Sequence, residues 1–162
     1  MPDATPQDLA LLRRCFAAAE AARKAGNHPF AALLADETGA VLIEAGNAFG
    51  DTHDATAHAE RLVATEASRR FGAERLRRCT LVTSAEPCAM CAGATYWAGI
   101  GRVVYGLSEH RLKEEIGPHP ENLTLDLPCR TVFAAGQREV AVIGPLLEEE
   151  ALVAHRGFWA LP

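Results

Sequence analysis

No apolar run in this 162-residue chain approaches the ~20 residues that cross a bilayer. The opening Met1-Pro2-Asp3-Ala4 also lacks the basic and then apolar stretches of an export signal, so a cytoplasmic protein outside the membrane is expected. Clusters of lysine or arginine long enough to follow a phosphate backbone are missing as well. Net charge is -5, and from Leu107 onward acidic residues outnumber basic ones, which disfavours nucleic acid as a partner. Low-complexity tracts, internal repeats and linkers are absent, so residues 1–162 read as a single domain long enough for one core. Five cysteines, an odd number without an export signal, argue against a disulfide framework and for reduced thiols plus a metal site.

The pattern that is present alternates helix and strand. Thr5-Pro6-Gln7-Asp8 reads as a helix start, with Leu9, Leu12, Phe16 and Ala19 at helical spacing and Gly26 as the stop. Phe30–Ala35 and Ala40–Ala45, joined by the turn Asp36–Gly39, read as a hairpin. A polar loop follows from Gly46 to Ala55. Thr56 is the expected cap of a helix that carries His58 and Glu60 in its first turns and runs to Phe71-Gly72. Cys79–Ser84 reads as a third strand, and Glu86-Pro87 opens a helix to about Trp97. Arg102–Gly106 and Glu139–Ile143 complete five strands, and Pro145 starts a closing helix with acids in its first turn. The class is therefore α/β, one mixed sheet with helices on both faces. Ser108 to Arg138 shows no clear period of either kind.

Chemistry concentrates in His58-Ala59-Glu60 and Pro87-Cys88…Cys91. Zinc favours four-coordinate thiolate and imidazole ligation, and a catalytic zinc keeps one position for water. Cys88 and Cys91 lie three apart and share a helix face, and a helix start favours their thiolate forms. His58 makes a third ligand. Glu60, beside it, is placed to take a proton from water, deliver it to the ring nitrogen next to the target carbon, and next return a proton to the departing amine. The gap between the two blocks holds a helix, a turn and a strand, so both helix starts emerge at one end of the sheet. A structural zinc site would need a fourth Cys or His, for which only Cys79 and His53 are near. The metal site reads as catalytic.

His-x-Glu followed by Pro-Cys-x-x-Cys is a known signature of zinc nucleobase deaminases, and this chain matches it at every position. Thr56-Ala57-His58-Ala59-Glu60 and Glu86-Pro87-Cys88-Ala89-Met90-Cys91-Ala92-Gly93-Ala94 resemble the two blocks of the cytidine deaminase-like superfamily, in its tRNA adenosine deaminase and guanine deaminase branch. That resemblance implies a three-layer α/β/α fold with a five-stranded mixed sheet. It also implies one Zn2+ per chain on His58, Cys88 and Cys91, Glu60 as proton shuttle, and a homodimer. By the same resemblance Asn47 holds the base edge, while Phe30 and the backbone around Ala57 line the pocket. Tyr96-Trp97-Ala98 resembles guanine deaminases, and Gly101–Gly106 resembles tRNA adenosine deaminases equally well. The tRNA enzymes imply a basic C-terminal helix, whereas Leu146–Glu150 is acidic.

The expected activity is hydrolytic deamination of a small amino-purine base or nucleoside, guanine first. A tRNA-specific adenosine deaminase forming inosine and a non-catalytic zinc interaction module are the alternatives. Guanine calls for a carboxylate facing its N1–H and amine, from among Glu109, Glu114, Glu115, Glu121 and Asp126. Phe158-Trp159 either folds over the active site or packs the last helix on the core. Trp97 belongs to a dimer interface or to the core, His53 to a solvated loop, and Cys15, Cys79 and Cys129 are expected as buried thiols.

Overall fold

The structure, a computed structural model, describes residues 3–160. Met1 and Pro2, half of the opening segment in which no export signal is seen, lie outside the described residues. Thr5 starts α1 (Pro6–Lys24) with a capping box. Its hydroxyl accepts from the Asp8 N–H at 3.1 Å, and the Asp8 carboxylate accepts from the Thr5 N–H at 2.8 Å. Gly26 follows the helix at φ +90°, a conformation that suits a residue without Cβ.

The hairpin is β1 (Ala31–Ala35) and β2 (Val41–Gly46), paired antiparallel. The polar loop after it holds an unforeseen single turn, α2 (Phe49–Thr52). Then come α3 (Ala59–Arg70), the short α4 (Ala73–Leu76), β3 (Thr80–Ala85), α5 (Ala89–Ala98) and β4 (Arg102–Leu107). The segment without a legible period contains two short helices, α6 (Glu109–Ile116) and α7 (Cys129–Ala134). Helix α6 has one turn-to-turn apolar pair, Leu112 and Ile116, both buried, and that is too short a run to establish a period. The chain ends with β5 (Ala141–Ile143) and α8 (Glu148–Leu152). Helix α8 begins three residues later than Pro145, because Leu147 stands in the left-handed region at φ 54° and interrupts a right-handed helix there.

The five strands lie in the order β2-β1-β3-β4-β5. Strand β1 is antiparallel to both β2 and β3, and β3, β4 and β5 are mutually parallel in sequence of pairing. Strands β2 to β5 therefore point the same way, and the chain leaves β2, β3 and β4 at one end of the sheet. Strand residues alternate between two cores. Leu33, Val82 and Val104 pack with Leu12, Phe16, Leu112 and Leu152 on one face. Leu34, Leu81 and Val103 pack with Val63, Ala67, Ala92 and Phe133 on the other. This is the expected three-layer α/β/α arrangement.

One polar clasp joins the layers. Asp8, buried in the first turn of α1, takes Arg102 of β4 bidentately at 2.7 and 2.8 Å. Burial alone would raise the Asp8 carboxyl, but the bonds from Arg102 and Thr5 outweigh it and hold the group below the usual carboxylate range.

Candidate active site

The helix starts at this end of the sheet differ from expectation in a way that serves the site. His58 is not inside the first turn of α3 but is its N-cap, with extended backbone and no side-chain capping bond. Thr56, the expected cap, instead donates its hydroxyl to Asp54 at 2.7 Å, and its carbonyl takes the Arg61 guanidinium. Cys88 likewise is the N-cap of α5, one residue after Pro87, and its side chain makes no capping bond. Both cap side chains are thus free to turn toward each other.

His58 Nδ1 lies 3.6 Å from Cys88 Sγ and 3.6 Å from Cys91 Sγ. The three donor atoms all lie within 4.8 Å of one another. A tetrahedral zinc with metal–sulfur bonds of about 2.3 Å and a metal–nitrogen bond of about 2.0–2.1 Å has sulfur–nitrogen edges of about 3.6 Å. The donor set therefore fits one zinc ion in type, number and separation. The Cys91 thiol and N–H and the His58 ring all support the Cys88 sulfur, whose pKa falls to about 4. The bond to Cys88 in turn holds His58 above its ordinary value. Donating to Cys88 and burial together hold the Cys91 thiol up, so the sulfurs share a proton that metal binding would displace.

Glu60, in the first turn of α3, is buried, and burial pushes its carboxyl above the usual range. Its Oε1 lies 2.8 Å from the Thr83 hydroxyl, which is also 2.9 Å from the Ala85 carbonyl. Glu60, His58 and Cys88 line a cavity of about 330 Å³, within the range of small-ligand sites. Phe30, Asn47 and Phe49 supply another part of the wall, and α6 with the loop after it supplies the remainder through Glu109, Leu112, Glu121 and Leu123. The Asn47 carboxamide oxygen accepts from the Phe49 N–H at 2.9 Å, which orients its NH2 group. Ala57 stands behind this wall: its N–H and carbonyl bond Asp54 and Ala48 at 3.0 Å each, and Ala55 and His58 line the cavity on either side of it.

The structure sorts the acidic residues that sequence left as a group. Glu109 and Glu121 line the cavity, Glu114 and Glu115 are exposed, and Asp126 pairs with His110 and Lys113. Glu109 is a buried residue on the cavity wall. Burial, and then the nearby Cys88, Glu60 and Glu86, push its carboxyl up to about 9. Glu121 is held at 3.0 Å by His28, which stacks on Phe49. Thr83, His28 and Phe49 were not singled out from sequence. A threonine inside a buried apolar strand was the one available signal, for Thr83.

Trp159 is buried in the core and does not line the cavity, but its ring lies 5.2 Å from His28 and 6.2 Å from Phe30. The tail packs the core and backs the cavity wall from behind. Trp97 is 85% exposed, which removes it from the core. His53 is exposed in its loop, and Cys15, Cys79 and Cys129 are buried free thiols. Among the described residues, no helix is long and apolar enough to cross a membrane.

Residues 5–107 match the cytidine and deoxycytidylate deaminase zinc-binding region. A probable cytosine deaminase from Schizosaccharomyces pombe is 40% identical over 154 residues, covering 94% of this chain and 93% of its own. The guanine deaminase of Bacillus subtilis is 42% identical over 89 residues, 55% of this chain and 56% of its own. The solved guanine deaminase from Nitrosomonas europaea superposes with a TM-score of 0.75 at 27% identity, covering 99% of this chain and 88% of that one.

Proposed function

This chain belongs to the cytidine and deoxycytidylate deaminase zinc-binding family, and from that premise we propose that it hydrolytically deaminates a small amino-purine base or nucleoside, guanine first. The observation that carries this reading is Glu60, buried and hydrogen-bonded beside the convergence of His58, Cys88 and Cys91, at the wall of a cavity sized for a small ring.

His58, Cys88 and Cys91 would hold one zinc ion, and when bound there it supplies a Lewis acid that lowers the pKa of a water ligand toward 7. The chain's own groups do the rest. Glu60 accepts the proton of the attacking water and delivers it to the ring nitrogen beside the reacting carbon. The carboxylate, free again, takes the second proton from the newly added hydroxyl and passes it to the amine, so that the C–N bond breaks, ammonia leaves and the carbonyl forms; one group serves both transfers. Thr83 suits it in both states: its hydroxyl donates to the carboxylate, or turns to the Ala85 carbonyl and accepts from the carboxylic acid. Asn47 presents its NH2 to an acceptor on the base, Phe30 and Phe49 bound the ring, and the region around Ala57 closes the wall behind it.

Guanine is favoured because Glu109 and Glu121 face the cavity as partners for the N–H groups of that base. The B. subtilis and N. europaea guanine deaminases add support. Cytosine is the second reading, favoured by the near full-length match to the S. pombe protein. The four cavity carboxyl groups, of Glu60, Glu86, Glu109 and Glu121, and the net charge of -5 weigh against a tRNA substrate. We also infer a single domain over 1–162 and a homodimer that covers Trp97, whose exposure leaves a large apolar side chain in water.

The test is an ammonia-release screen over guanine, adenine, cytosine, their nucleosides and a tRNA, with zinc content measured in parallel. Turnover of guanine above the others, lost on chelation and restored by zinc, is expected. Preference for cytosine would replace guanine in this reading. Absence of ammonia from every substrate by zinc-loaded protein would leave the non-catalytic zinc module.

A further inference from the structure

Beside the metal donors, the buried side chain of Glu86 has no part in the chemistry above. Glu86 lies two residues before Cys88 at the cavity wall, is 5% exposed, and has both oxygens taken by the main chain and not by the cavity. Its Oε2 accepts the N–H of Glu109 at 3.1 Å, and its Oε1 accepts the N–H of Cys129 at 2.9 Å. The Glu86 N–H itself donates to the Leu107 carbonyl at 2.7 Å, which fixes the residue against the end of β4.

Glu109 opens α6 and Cys129 opens α7, so both N–H groups are donors that a helix start leaves without an intrahelical partner. Two helix starts therefore meet at one carboxyl group. Between these two anchors runs the 109–129 segment, which supplies Glu109, Leu112, Glu121, Leu123 and Leu125 to the cavity wall. A single side chain therefore holds both feet of that wall, from a position in the loop that carries Cys88. The tip has a separate tie, Glu121 to His28 at 3.0 Å, but Glu121 is 53% exposed there and the bond competes with water.

We propose that Glu86 is a positioning residue for substrate binding, clamping both ends of the 109–129 wall to the metal-ligand loop and so setting the width of the cavity. The proposal rests on the cavity being the substrate site. Glu86→Gln keeps shape and size but turns one acceptor oxygen into an NH2 donor, so one foot is released whichever way the amide turns. Glu86→Ala releases both.

The experiment compares wild type, Glu86→Gln and Glu86→Ala for zinc content, amide hydrogen exchange and steady-state kinetics on the best base from the screen. Full zinc loading is expected in all three, with exchange at the Glu109 and Cys129 amides and across 110–128 at least about tenfold faster in Glu86→Gln, faster still in Glu86→Ala, and unchanged in α1 and β3. KM is expected to rise at least about tenfold while kcat changes less than about threefold, the pattern of lost binding and not of lost chemistry. A merely structural role would lower the active fraction or the melting temperature and leave KM alone. Zinc-loaded Glu86→Gln with wild-type exchange in 109–129, or with wild-type KM, overturns the proposal. Should Glu86→Ala fail to fold, the nearly isosteric Gln variant decides. If wild type releases no ammonia from any base, the deaminase reading fails on that result, and the clamp is judged on local exchange alone.

Discussion

At the scale of single residues, Glu60 and His155 make opposite use of burial. For Glu60, burial raises the carboxyl and so strengthens it as a proton acceptor, as the first step of a shuttle requires. Glu60→Gln keeps the volume and removes the transfer. It is expected to lower kcat by about 10²–10⁴-fold with zinc content unchanged, measured by ammonia release and metal analysis. His155 is buried, accepts the Trp159 indole N–H at 3.1 Å on Nδ1, and is pushed down to about 4 by burial and then by Arg23. A folded pKa below the unfolded 6.5 means the native state resists protonation. Its contribution is complete above about pH 6.5 and is lost as pH falls toward 4, at about 1.4 kcal/mol per pH unit. Urea midpoints at pH 7 and pH 5 should show a loss of about 2 kcal/mol that His155→Gln, neutral and still able to accept from Trp159, largely abolishes.

At the scale of elements, the site depends on where helices begin. Both α3 and α5 start with metal-ligand residues as caps, His58 and Cys88, that make no side-chain capping bond. Capping stability is given up at both starts, and a cap bond is commonly worth about 1 kcal/mol. The first helix shows the opposite arrangement: α1 is capped by Thr5 and tied to β4 through Asp8 and Arg102. Asp8→Ala removes the capping-box partner and leaves a half-buried guanidinium without its bidentate acceptor. A loss of about 3 kcal/mol is expected, read from chemical denaturation at pH 7. Because the Asp8 carboxyl is held below its ordinary value, wild type keeps this contribution above about pH 4 and loses it as pH falls further, while the variant shows no such step.

At the scale of the whole molecule, the sheet separates two cores and gathers the chemistry at the end where β2, β3 and β4 hand over to helices. The surface around α5 carries Trp97 at 85% exposure next to Tyr96, an arrangement suited to a second copy of the chain. Sedimentation is expected to give a dimer for wild type, and Trp97→Glu is expected to weaken it at least about tenfold while leaving zinc content intact. A wild-type monomer at micromolar concentration would remove the homodimer from the reading.

Much of this molecule was legible because local chemistry is written in short spacings. The Thr5-Pro6-Asp8 start, the β1–β2 hairpin, and the ligand trio of His58, Cys88 and Cys91 all depend on short blocks of neighbouring residues. Sequence by itself therefore determined the order of the five strands and of the longer helices between them, the α/β class and the metal donor set. Tertiary structure decided what depends on distant groups sharing a low-dielectric space. It placed Thr83 against Glu60, buried Glu109 in the cavity wall while Glu114 and Glu115 stayed in water, and set Trp159 behind that wall. The 109–129 segment has only two short helices at its ends, and Glu86, earlier in the chain, supplies the acceptors that hold those ends. Periodicity reports a face turned toward a core, and it carries no record of a wall held in place by one distant carboxylate.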